Sequence, residues 1–111
     1  MRRRLHRKYS YRVIWSEDKK KHIGKCAEFP HFESESSSIA GALMRLTKVI
    51  EAEVDRIEAS GQKPPEPLIS KKFSGDFIVR TSPEVHRKLM INAAEQDVSF
   101  NHYVSGKLAD L

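Results

Sequence analysis

A proline cluster near the middle constrains this chain more than any other feature. Lys63-Pro64-Pro65-Glu66-Pro67 packs three prolines into four residues. Proline fixes φ and lacks an N–H, so neither a helix nor an inner strand runs through such a stretch. The sequence therefore divides into a basic arm (1–8), a first folded segment (9–62), a proline-rich linker (63–70) and a second segment (71–111). The linker is expected to be an extended, semi-rigid spacer. Segments this short bury little apolar surface, so at least one is expected to complete its core by self-association.

Before the prolines, residues 9–16 read as a strand in which Tyr11, Val13 and Trp15 alternate with Ser10, Arg12 and Ile14. Residues 17–21 are charged and form a hairpin loop. Residues 22–29 read as the return strand, stopped by Pro30, and residues 32–36 as a short third strand. Ser36, Ser37 and Ser38 offer N-caps for a long helix. Its predicted buried face is Ile39, Leu43, Leu46, Ile50, Val54 and Ile57, at three- and four-residue spacings. Gly61 is the expected left-handed residue at its end. The fold class that follows is α+β, with a small antiparallel sheet packed on a long helix.

Beyond the prolines, residues 73–81 are predicted to form a strand, with Phe73, Phe77 and Val79 on one side and Ser74, Asp76, Ile78 and Arg80 on the other. Gly75 interrupts the apolar set. Ser82-Pro83-Glu84 is a helix start: cap, proline at the first position, acid in the first turn. Val85, Leu89, Ala93 and Ala94 mark the buried face of a helix ending near Asp97. Ser99 caps a second helix with Phe100, Tyr103, Val104, Leu108 and Leu111 on its apolar side. One strand and two helices leave both strand edges open. Pairing with the same strand of a second chain, across a two-fold axis, closes one edge and gathers four helices over one core.

Charge is uneven. Residues 1–25 hold ten Lys/Arg against Glu17 and Asp18, residues 26–70 hold four basic against eight acidic residues, and residues 71–111 are near balance. The high isoelectric point thus comes from the N-terminal end and does not by itself argue for nucleic-acid binding. The basic arm reads either as a solvated charge run or as a phosphate-touching tail. Its first residues resemble the start of a signal peptide, but Tyr9-Ser10-Tyr11-Arg12 supplies no apolar region to follow. No apolar run approaches the roughly 18 residues of a membrane span. Cys26 is the only cysteine, which excludes an internal disulfide and suits a reducing, cytoplasmic setting.

Chemistry is thinly represented. Metal-dependent phosphoryl transfer needs clustered carboxylates, whereas residues 9–16 contain no acid and residues 22–29 contain only Glu28. His22, His31, His86 and His102 lack zinc-ligand spacing, and Cys26 lies in an apolar strand as a core residue. No cofactor or metal is expected, and the chain is not expected to be an enzyme.

Two resemblances organise these readings. Phe77-Ile78-Val79-Arg80, Pro83-Glu84-Val85 and Val98-Ser99-Phe100-Asn101 resemble, in order, the ribbon-helix-helix plan. That family lays its paired strands in the major groove of DNA. The resemblance implies base reading by Asp76, Ile78 and Arg80, a phosphate held at Ser99, Phe100 and Asn101, and supporting charge from Lys71 and Lys72. Asp76 departs from the family, which usually has a basic or amide residue there; it either accepts from a cytosine or weakens binding. Tyr9-Ser10-Tyr11-Arg12-Val13-Ile14-Trp15-Ser16-Glu17, Cys26-Ala27-Glu28-Phe29-Pro30, the long helix and Pro64-Pro65-Glu66-Pro67 resemble HicB-family antitoxins. His31-Phe32-Glu33 departs from that family's usual turn.

The resemblance implies a partial RNase H-like N-terminal domain that blocks a small HicA-like ribonuclease toxin. It also implies a homodimer through the C-terminal segment, or a larger assembly, and repression of the protein's own operon. Glu28, Glu33 and Glu35 are then either a toxin-facing acidic surface or a solvated one. The alternative is a stand-alone ribbon-helix-helix repressor whose N-terminal domain oligomerises or senses a ligand.

Overall fold

The computed structural model describes residues 5–111, so the first half of the basic arm, residues 1–4, lies outside the described residues. The chain forms two compact units that divide between Phe73 and Ser74.

In the first unit a 3₁₀ turn, Leu5–Lys8, precedes β1 (Tyr11–Ser16), β2 (Lys21–Cys26) and β3 (Glu33–Ser36), and α1 (Ile39–Ala59) follows. The sheet is antiparallel in the order β1-β2-β3, with Val13 opposite Gly24 and Gly24 opposite Ser34. β1 and β2 are joined by the expected charged turn, closed by the Lys20 N–H donating to the Ser16 carbonyl at 2.8 Å. The return strand ends at Cys26 rather than near Phe29. The Phe29 N–H turns back to the Cys26 carbonyl, and the Phe32 N–H to that of Phe29. Tyr9, expected in the first strand, instead precedes it as a buried plug of the core.

Helix α1 begins and ends where the local signals placed it. Ser38 caps it, accepting from the Gly41 N–H at 3.0 Å. At the other end Gly61, at φ +84°, donates to the Glu58 carbonyl and Gln62 to that of Ile57, a paired closure that only a left-handed residue permits at low cost. Its predicted buried face needs correction. Leu46, Ile50 and Val54 are buried as expected, but Ala42 is the fourth buried residue, whereas Ile39 is 61% exposed and Leu43 half-exposed. The cause lies in β2. A Cβ on Gly24 would stand 3.1 Å from the Ala42 carbonyl and 3.3 Å from Leu46 Cβ. Glycine therefore lets the helix settle against the strand along Ala42 and Leu46, and the buried Ser34 Oγ donates to the Ala42 carbonyl at 2.6 Å. The same contact turns Ile39 and Leu43 away.

The core joins Tyr9, Cys26, Phe29, Leu46, Ile50 and Val54, flanked by Leu5, Tyr11, Phe32 and Ile57. Tyr9 meets Phe29 edge-to-face at 5.3 Å, and Phe29 meets Phe32 at 6.0 Å. Cys26 is buried here as a core residue, and burial pushes its thiol pKa up, which suits packing and not nucleophilic chemistry.

The linker is not a free spacer. Pro67 is fully buried against the first unit. The Tyr9 hydroxyl donates to the Pro65 carbonyl at 2.7 Å, and the Leu68 N–H donates to Glu28 Oε2 at 2.9 Å. Proline's fixed φ makes such docking cheap in entropy.

The second unit is α2 (Pro83–Glu95) and α3 (Phe100–Leu108), preceded by residues 74–82. No strand forms over residues 73–81, contrary to expectation. Gly75 adopts φ +88°, and Ser74 Oγ accepts from the Asp76 N–H at 3.0 Å in a local turn. A strand requires a neighbour for its ladder, and no backbone ladder bond reaches this segment among the described residues.

Candidate nucleic-acid interface

Unit two is built on local signals that work as predicted. Ser82 Oγ accepts from the Val85 N–H at 3.2 Å with Pro83 at the first helical position, and Ser99 Oγ accepts from the His102 N–H at 3.0 Å. Between the helices Asp97 takes φ +56°, and the Val98 N–H returns to the Ala93 carbonyl. Ala93 and Tyr103 are the residues buried between α2 and α3, and Asn92 Nδ2 donates to the Tyr103 hydroxyl at 3.2 Å. His86 and Phe100 stack at 5.6 Å, tilted by 51°. Leu89 and Val104 are half-buried, while Val85, Ala94, Leu108 and Leu111 of the expected apolar faces stay exposed.

The predicted base-reading residues lie in the segment before α2. Asp76, Ile78 and Arg80 are all exposed, and so are their neighbours: Phe77 is 69%, Ile78 86% and Val79 66% accessible. Three consecutive large apolar side chains in water carry a high cost. Ser99, Phe100 and Asn101 come together at the N-terminus of α3, as a phosphate site requires. With the His102 N–H taken by Ser99, the N–H groups of Phe100 and Asn101 are the ones left for an anion among the described residues. Lys71 and Lys72 belong to the end of the first unit, where Lys71 Nζ stands 5.8 Å over the Phe73 ring.

The acidic trio of the first unit is divided by the fold. Glu33 and Glu35 sit on β3 and pair with Lys25 at 3.5 Å and Lys19 at 2.7 Å. Glu28 has an internal task that sequence reasoning missed. Its Oε1 accepts from the Ser10 N–H at 2.8 Å and the Cys26 thiol at 3.5 Å, its Oε2 from the Leu68 N–H and the Ser10 hydroxyl. Burial opposes its charge, but the Leu68 and Ser10 N–H groups outweigh that and hold its carboxyl below the ordinary value. No periodicity signals a bond across forty positions; the one available hint was an acid beside a Phe-Pro turn. Among the described residues no cluster of three or more His, Cys, Asp or Glu is placed to hold a metal. No helix among them is long and apolar enough to cross a membrane.

A family model described as the HicB family matches residues 57–108, from the last turn of α1 through the end of α3. No curated protein and no solved structure matches the chain.

Proposed function

From the match of residues 57–108 to the HicB family model, we propose that the chain is a non-catalytic antitoxin that binds a HicA-like ribonuclease toxin and represses its own operon as a homodimer. The observation that carries the DNA-binding half is the unfinished state of the second unit. Phe77, Ile78 and Val79 stand exposed beside a helix pair that buries only Ala93 and Tyr103. Pairing residues 73–81 with the same segment of a second chain supplies the missing ladder and turns Phe77 and Val79 toward four helices. Asp76, Ile78 and Arg80 then face outward on a two-stranded ribbon, of a width the major groove accepts. Arg80 reads a guanine through its guanidinium, Ile78 touches thymine methyls, and Asp76 accepts from cytosine. The N-terminus of α3 grips a phosphate and fixes the register.

Electrophoretic shift with the gene's own upstream DNA, repeated across salt, tests this reading. Specific binding should fall steeply with salt. Arg80→Ala should remove about 1–3 kcal/mol of discrimination while a co-purified toxin stays bound. Loss of both activities would refute the division of labour between the units.

A second reading has its own support. The family match begins at residue 57, and Glu33 and Glu35 are already engaged by lysines. A stand-alone repressor whose first unit oligomerises or senses a ligand fits those facts. Recovery of DNA binding with no stoichiometric small basic partner would favour it.

A further inference from the structure

The chain passes from tied to untied within a few residues of the proline cluster. Pro65 is held by the Tyr9 hydroxyl, Pro67 by burial and Leu68 by Glu28. The N–H groups of Ser70 and Lys71 then both donate to the Pro67 carbonyl at 3.0 Å. From Lys72 to Thr81 no backbone-to-backbone bond follows among the described residues; the local tie is the Ser74–Asp76 turn. At Ser82 the cap of α2 takes hold again, with the His86 N–H on the Ser82 carbonyl.

Every residue of this open run is exposed. Phe73 and Phe77 stand out among the aromatic residues, because each is 69% accessible and neither lies in a helix or strand. Tyr9 and Phe29 are buried in the first core, Tyr11 and Trp15 are tied into β1, Tyr103 is buried between α2 and α3, and Phe100 lies in α3. A protease takes its substrate as an extended chain over several residues. Helices and ladders must open before they fit, whereas an exposed, unbonded run fits as it stands.

We propose that Lys72–Thr81 is a proteolytic processing site, cut after Phe73 or Phe77 by an endoprotease with an aromatic-accepting pocket, and that ribbon pairing closes it. Hydrolysis takes up one water, leaving a carboxylate on the phenylalanine and a free amine on Ser74 or Ile78. The closing half rests on the ribbon reading above: pairing engages the backbone of residues 73–81 in a ladder and turns Phe77 into the shared core. A cut there spares the first unit, whose core and Glu28–Leu68 bond both precede it. Chains too dilute to pair lose the DNA-binding half and keep the half proposed to bind toxin.

Chymotrypsin at a fixed trace concentration tests this on the full chain, with fragments identified by mass. The first cut should follow Phe73 or Phe77, and the N-terminal fragment should persist. The control is Val85→Asp, which leaves the run unaltered. It suits the first turn of α2 but sets a charge where four helices would meet. Relative to that chain at equal concentration, cleavage of the unaltered chain should slow about tenfold for each hundredfold rise in concentration once most chains are paired. An unstructured phenylalanine peptide in the same tube supplies the same comparison should Val85→Asp alter the circular dichroism. A first cut at any other bond within residues 9–111 overturns the site. Sedimentation equilibrium distinguishes the two ways the closing half can fail. Equal cleavage rates with a heavier unaltered chain overturn the closure while ribbon pairing stands. Equal masses for the two chains at every concentration show that ribbon pairing itself has failed, and the closure falls with it.

Discussion

In the N-terminal unit Leu46, Ile50 and Val54 are sealed from solvent by a sheet, an aromatic cluster and a docked linker. In the C-terminal unit Phe77, Ile78 and Val79 are mostly in water while two helices bury Ala93 and Tyr103 between them. Both units have sound helix caps, so local stability does not separate them. The difference is in where the missing surface comes from. A three-stranded sheet with a helix across it closes a core within one chain; a helix pair with one unpaired segment cannot. On the proposed reading the second unit is half of a structure, whose stability would depend on chain concentration as the first unit's core does not.

The largest effect that would sharpen this contrast is expected at Val79. Val79→Asp should remove the cooperative unfolding of the second unit altogether, since a charge then sits where the shared core would form. In the unaltered protein the unfolding midpoint of that unit should rise with concentration by mass action, and a midpoint that ignored concentration would break the comparison.

Leu46→Ala comes next. It empties the centre of the first core and should cost about 2–5 kcal/mol in urea unfolding, leaving the second unit's transition in place.

Glu28→Gln is smaller and local. It weakens the bond to the Leu68 N–H, worth about 1.5–3 kcal/mol for a charged acceptor, and should appear as faster amide exchange at Leu68 with the core of α1 unchanged. The pH dependence follows from the same bond. Because the folded pKa of Glu28 lies below the ordinary 4.5, its contribution is complete above that value and is lost as pH falls through the lowered one. The Tyr9 bond limits the other side. Burial, aided by Glu28, raises that phenol from 10.0 to about 12, so its contribution is complete below 10.0 and is lost as pH rises toward 12. Exchange at the linker amides across pH should show protection between those limits.

Ser99→Ala has the smallest expected effect, about 1 kcal/mol on α3 from the lost cap. Thermal unfolding of the second unit measures it, and DNA affinity should fall with it if the helix start holds a phosphate.

The α+β class, the two-strand hairpin with its third strand, the starts of all three helices and the ends of the first two were legible in the sequence. Ser38, Ser82, Ser99 and Gly61 act on backbone groups two to four residues away, and signals of that range are written in adjacent letters. For the candidate interface the structure adds only exposure and the start of α3: Asp76, Ile78 and Arg80 are exposed on one segment, and Ser99, Phe100 and Asn101 lie at one helix start.

What only the tertiary structure decided depends on residues far apart in the chain. Periodicity offered Ile39 and Leu43 for the core of α1, but the missing Cβ of Gly24 set where the helix touches the sheet and put Ala42 there instead. Glu28 read as a surface acid until the linker came back to it across forty positions. The absent strand at 73–81 is the converse case, because its pattern was plain in the sequence but no neighbouring strand meets its hydrogen-bonding groups among the described residues. Caps and turns are settled by the local backbone, whereas buried faces, clasps and ladders are settled by whatever surface arrives opposite them.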